Sequence, residues 1–123
     1  MKMNSNRNKK QLHLLAKYTE REPVEIDLEN KLEDLQAAVE GYIETVTLFS
    51  NLVIICNEEG RISHMPYNTC LMGIDFYGPV LIAGRKGDEF ADTPINPEEY
   101  RILFSKESED YYRARHYRKG ASV

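Results

Sequence analysis

The first patterned stretch is LHLLAKY, residues 12–18. Leu12, Leu14 and Ala16 alternate with His13 and Lys17, which suits a half-buried strand, while Leu12 and Leu15 also fit the start of a helix. The polar break TEREP ends at Pro23. VEIDL then alternates strictly, with Val24, Ile26 and Leu28 on one face and Glu25 and Asp27 on the other. A hairpin of strands near 12–18 and 24–28 is the simpler reading. A helix is predicted next, over about 31–40. Leu28, Leu32, Leu35 and Val39 form one apolar stripe, Asn30 with Glu33 suits a capping box, and Gly41 suits a left-handed stop.

YIETVTLF and NLVIICN follow, joined by Ser50 and Asn51, and predict a tight hairpin. LVIIC is apolar on both faces, so its strand should be central and covered on both sides. Asn57–Arg61 turns the chain, with Gly60 suited to positive φ. Residues 61–76 read as a long loop with one short strand at its start, because Pro66 and Asn68 interrupt the pattern. A strand at 79–84, a turn at RKGD and a return strand at 89–91 come next. Asn96 as N-cap and Pro97 at the first helical position start a second helix, with Tyr100, Leu103 and Phe104 on one face. That helix is expected to continue through SKESEDYYRARHYRK. The fold class is α+β, a single compact domain: an antiparallel or mixed β-sheet with two helices packed on it, over residues 12–104. A flexible basic segment (1–11) precedes it, and a helical or frayed basic tail (105–123) follows.

Composition narrows the chemistry. A chain of 123 residues can bury about two thirds of its unfolded surface, enough for one core without metal or disulfide. No stretch approaches the roughly 20 apolar residues of a membrane helix, and the basic start has no apolar segment behind it, so no signal peptide is expected. The net charge of −4 conceals an uneven distribution. Residues 1–23 carry +4, residues 113–123 carry +4, and residues 24–112 carry −12. Such a body repels a phosphate backbone, so DNA binding is not expected. Basic ends on an acidic body suggest contacts between copies, hence a homo-oligomer. Cys56 and Cys70 are too few for a disulfide framework or a structural zinc site, and read as buried free thiols in a reducing, cytoplasmic setting.

Catalytic patterns are thin. His13, His64 and His116 lie in separate segments with no metal-ligand spacing, so neither metal nor cofactor is expected. His64 and Cys70 share a segment but no nucleophile turn. Glu58 and Glu59 are adjacent and would point to opposite faces, so they are poorly placed to share a proton. Glu44 and Asp75 could converge from separate segments. The turn Gly84–Glu89 offers Arg85 and Lys86 to a phosphate but lacks the spacing of a Walker loop. The densest group of ligand-capable side chains is Asn57, Glu58, Arg61, His64, Tyr67 and Asn68, directly after the most apolar strand. These six, with Arg85 and Lys86, are the candidate binding residues.

VEID, LEDLQAAVEGYIETV, VIICNEEGR, MPYN and DFYGPVLIAG, in this order, resemble a family of small phage, plasmid and bacterial proteins carrying the domain of unknown function 3846. Most weight falls on Gly41–Tyr42–Ile43–Glu44 followed by Asn57–Glu58–Glu59–Gly60. The resemblance covers about Leu12 to Phe104 and brings no catalytic residues. It implies an accessory protein in a bacterial cytoplasm. It suggests a non-enzymatic binder of a small nucleotide-like signal, working in counter-defence. The alternatives are an acidic module that docks on a host protein and, third, a small hydrolase using Glu44 or the His64 segment.

Overall fold

The computed structural model describes residues 11–104. Its elements are β1 (Gln11–Lys17), β2 (Val24–Glu29), α1 (Leu32–Val39), β3 (Ile43–Phe49), β4 (Leu52–Asn57), β5 (Tyr67–Leu71), β6 (Ile74–Tyr77), β7 (Val80–Lys86), β8 (Glu89–Ala91) and α2 (Pro97–Leu103). Of the expected flexible segment 1–11, Gln11 begins β1 and the rest lies outside the described residues, as does the expected helical continuation over 105–119, with His116.

β4 has no polar face in LVIIC, so both its sides must be covered. The sheet supplies lateral neighbours in the order β2-β1-β7-β4-β3, with β8 paired to the far end of β7 and every pairing antiparallel. Ile55, Leu81, Leu14 and Ala16 meet Leu35 and Val39 of α1 on one side. Ile54, Cys56, Ile82 and Leu15 meet Leu71 and Phe76 of the β5–β6 hairpin and Tyr100 of α2 on the other. The result is three layers of α+β structure, with the sheet in the middle.

The hairpin β5–β6 replaces the expected long loop and its expected initial strand. Residues 61–64 are turn, and the strands come later. The register pairs Leu71 with Ile74, leaving Met72–Gly73 as a two-residue connection. Both have positive φ, 52° and 81°, the backbone of a primed hairpin turn that matches strand twist. Met is an uncommon first residue there, which is why the signal was weak.

Three helix details differ from expectation. The N-cap of α1 is Lys31, not Asn30, and no side chain caps it. The left-handed stop is Glu40, not Gly41. Leu32 and Leu103 stand exposed in the terminal turns of α1 and α2, so the buried contacts narrow to Leu35 and Val39 on one helix and Tyr100 on the other. The capping box sits instead at α2, where Asn96 Oδ1 accepts from Glu99 N at 2.8 Å and Glu99 Oε1 accepts from Asn96 N at 2.9 Å. Gly60 keeps ordinary φ. A Cβ there would stand 2.5 Å from the Tyr77 carbonyl oxygen, so close approach explains the glycine.

One end of the hairpin layer is fixed by a buried amide. Asn68 is fully buried; its Nδ2 donates to Lys17 O and Gly78 O, both at 2.8 Å, and its Oδ1 accepts from Lys17 Nζ at 3.0 Å. It joins β1, β5 and the β6–β7 turn. Asn68→Ala removes these bonds, and each buried group left unsatisfied costs about 1 to 3 kcal/mol. We expect a loss of about 3 kcal/mol in urea unfolding, against no measurable change for His64→Ala in its exposed turn. Equal midpoints for the two variants would contradict this role.

Candidate ligand-binding cleft

The polar residues that end β4 do two different things. Asn57 is used by the backbone. Its Nδ2 donates to Val39 O at 3.0 Å and Glu40 O at 3.1 Å, capping α1, and its Oδ1 accepts from Glu59 N at 2.7 Å. Gly41 makes room for that amide, since a Cβ at 41 would lie 2.5 Å from Asn57 Nδ2. The spacing of the Gly41 and Asn57 motifs is thereby a single physical unit, a helix end closed by a strand end.

Beyond Asn57 the chain folds into a tight turn, with Ser63 N donating to Glu59 O at 2.7 Å and Met65 N to Gly60 O at 2.9 Å. The turn stands beside β6 and leaves an open cleft of about 160 Å³. Glu44, Cys56, Glu58, Arg61, Asp75 and Tyr77 line it. Arg61 is largely exposed and stacks over the Tyr77 ring, with Cζ 5.0 Å from the ring centre and Nη2 donating to Tyr77 Oη at 3.4 Å. Its Nη2 also lies 3.8 Å from Asp75 Oδ2. Asp75 is held from behind by Tyr67, whose hydroxyl donates to Oδ1 at 3.0 Å and whose ring meets Tyr77 edge-on at 5.3 Å.

The eight candidate residues therefore separate. Glu58 and Arg61 reach the cleft, and Asn57 borders it while capping α1. Tyr67 supports Asp75 from within the hairpin, and Asn68 is locked in the core. His64, at φ 60°, occupies the exposed turn and does not line the cleft. Arg85 and Lys86 are at the opposite end of the sheet, because Gly84 of β7 pairs with Leu52, the first residue of β4, while the cleft lies at its last. There Arg85 Nη1 donates to Thr47 Oγ1 at 3.3 Å. Glu44 and Asp75 both line the cleft. Tyr77 escaped the sequence reading. Recognising Met72–Gly73 as a turn would have paired it with Tyr67 and exposed its place.

Among the described residues the cleft carries three carboxylates, Glu44, Glu58 and Asp75, against one guanidinium. Cys56 lines its floor with Sγ 3.6 Å from Glu44 O. Burial, and secondarily the charge of Glu44, pushes its thiol up to about 11, so it is almost wholly protonated at neutral pH and a poor nucleophile.

Such a molecule is a three-layer α+β domain with a small polar cleft at the end of its central strand. Its family is shown by the sequence: the chain belongs to the family of the domain of unknown function DUF3846, whose profile matches residues 12–105. No curated protein and no solved structure gave a match.

A second polar cluster, missed from sequence, lies away from the cleft on the β1–β2 pair. His13 Nδ1 lies 2.9 Å from Asp27 Oδ1 and Nε2 lies 2.7 Å from Glu25 Oε1, while its backbone N donates to Asp92 Oδ1 at 2.8 Å. The hydrogen bonds to Asp27 and then Glu25 raise its pKa above the usual 6.5. Only the imidazolium donates from both nitrogens. Its stabilising contribution is therefore complete below 6.5 and lost as pH rises through the raised folded-state value. NMR titration should place His13 above 6.5 and return it toward 6.5 in Asp27→Asn. Because the group is half exposed, added salt should shrink the shift. A wild-type value at or below 6.5 would contradict the clamp.

Proposed function

We propose that this protein is a non-enzymatic binder of a small nucleobase-bearing molecule, with the ring held in the Arg61–Tyr77 cleft. The observation that carries the reading is the guanidinium–phenol stack at the mouth of an acidic concavity. An exposed arginine face stacks on planar rings, and the neighbouring carboxylates accept hydrogen bonds from exocyclic amino groups. The cleft's volume suits a base better than a whole nucleotide. Its net negative lining disfavours a phosphate inside, so a nucleotide's phosphate would remain outside. The buried, protonated Cys56 thiol is a poor nucleophile, which supports binding.

The biological setting is part of the same proposal. The protein would work as a homo-oligomer in a bacterial cytoplasm, in the service of a phage or other mobile element, sequestering a nucleotide-derived host signal as counter-defence. The second reading is an acidic module that docks on a basic host protein, and one observation favours it: Glu25 and Asp27 stand half-exposed on the edge strand β2.

Calorimetric titration with adenosine and guanosine tests the lead reading. Saturable binding should weaken at least about tenfold, or 1.4 kcal/mol, in Arg61→Ala and in Tyr77→Ala. Chromatography should recover the ligand intact. Absence of saturable binding, or affinity indifferent to both substitutions, would sink the reading. Conversion of the ligand would point to the hydrolase instead.

A further inference from the structure

The hydrogen-bonding capacity of the cleft is lopsided. Donors at the end of β4 are spent inside the fold. Asn57 Nδ2 is taken by Val39 O and Glu40 O. Glu58 N donates to Tyr42 O at 2.8 Å, Glu59 N to Asn57 Oδ1 at 2.7 Å and Gly60 N to Asn57 O at 3.3 Å. The Cys56 thiol points to Glu44 O. Acceptors are left over. Glu44 and Glu58 are exposed, and among the described residues neither side chain makes a hydrogen bond or ion pair.

We infer that the cleft selects guanine among the bases, with the Glu44 carboxylate accepting N1–H and the 2-amino group together. The inference rests on the ring-binding reading of the cleft and adds to it the identity of the ring and the residue that chooses it.

The chemistry of base edges carries the choice. Guanine alone among the standard bases places two donors side by side on its Watson–Crick edge. A carboxylate offers two acceptor oxygens in one plane and can take such a pair bidentately. Adenine sets the N1 lone pair beside its amino group, and cytosine does the same with N3. Against a carboxylate that lone pair meets another acceptor, so one good hydrogen bond is replaced by a repulsive contact. A uracil ring offers one N–H between two carbonyls. Once a base is stacked on the Arg61–Tyr77 pair, its edge is what remains to be read.

Glu44 is the carboxylate best placed to read it. It stands on β3, opposite Cys56 in the β3–β4 register, and so is carried by a strand of the sheet. Its side chain shares a face with Val46, which packs toward the hairpin layer. Its charge is felt at the floor of the cleft, where it adds to burial in raising the Cys56 thiol. Asp75 already accepts from Tyr67 and faces Arg61, and Glu58 stands on the turn. Val46 and Phe76 give the cleft an apolar wall, which strengthens polar contacts beside it.

Calorimetry on the full-length protein with guanosine, inosine and adenosine tests the inference. Inosine differs from guanosine only in lacking the 2-amino group. Guanosine should bind tightest, with inosine and adenosine each weaker by at least about tenfold. Glu44→Gln, at an exposed position, exchanges two acceptors for one acceptor and one donor, the complement of adenine's edge. It should weaken guanosine by at least about tenfold and leave adenosine as tight or tighter, erasing the preference. Equal wild-type affinity for guanosine and adenosine would overturn the inference and leave the ring-binding reading standing. A preference that survives Glu44→Gln, or a loss that falls equally on all three nucleosides, would overturn the role of Glu44. Absence of binding by any nucleoside would remove the ring-binding reading and this inference with it.

Discussion

Everything in this fold answers to one constraint: β4 is apolar on both faces. A strand such as Leu52–Cys56 cannot lie at a sheet surface. It requires β3 and β7 beside it, α1 over one face, and the β5–β6 hairpin with α2 over the other. Burial on both faces also means that the backbone ends of the covering layers must be closed by polar side chains brought from elsewhere. Two asparagines do this at the same end of the sheet. Asn57 closes the C-terminus of α1, and Asn68 closes the seam between the hairpin and β1. Beside the Asn57 closure, the surface opens into the cleft.

Much of this was legible because the dictating signals are local. Alternation in Val24–Leu28, the Ser50–Asn51 link, the doubly apolar β4 and the Asn96–Pro97 helix start each act within a few residues, and each appears as read. The illegible parts depend on partners distant in sequence. Asn57 and Asn68 looked like ligand contacts because polar side chains after a buried strand often are. Only the tertiary arrangement shows that carbonyls of residues 39, 40, 17 and 78 claim their amides. Gly41 and Gly60 looked like backbone specialists, but both answer to close approach by another chain segment. The hairpin at Met72–Gly73 was hidden by an uncommon turn residue, and with it went the position of Tyr77.

The charge pattern gains meaning from the same geometry. The acidic excess read along the chain is partitioned in space. Carboxylates gather in the cleft and on β2, where Glu25 and Asp27 grip His13. Arg85 and Lys86 stand at the far end of β7 and Arg21 and Arg101 beside α2, while Arg61 reaches the cleft and Lys31 pairs with Glu29. The acidic cleft lies on the hairpin side of the sheet, near the last residues of β4.

The central claim is that Arg61 and Tyr77 contact a ligand while Asn57 and Asn68 hold the frame. NMR perturbation mapping with adenosine separates the two roles directly. The account predicts shifts concentrated at Arg61, Tyr77 and Glu58, with the side-chain amide signals of Asn57 and Asn68 in place and protected from exchange. Shifts centred on Arg85 and Lys86, or release of the Asn57 amide on ligand addition, would contradict it.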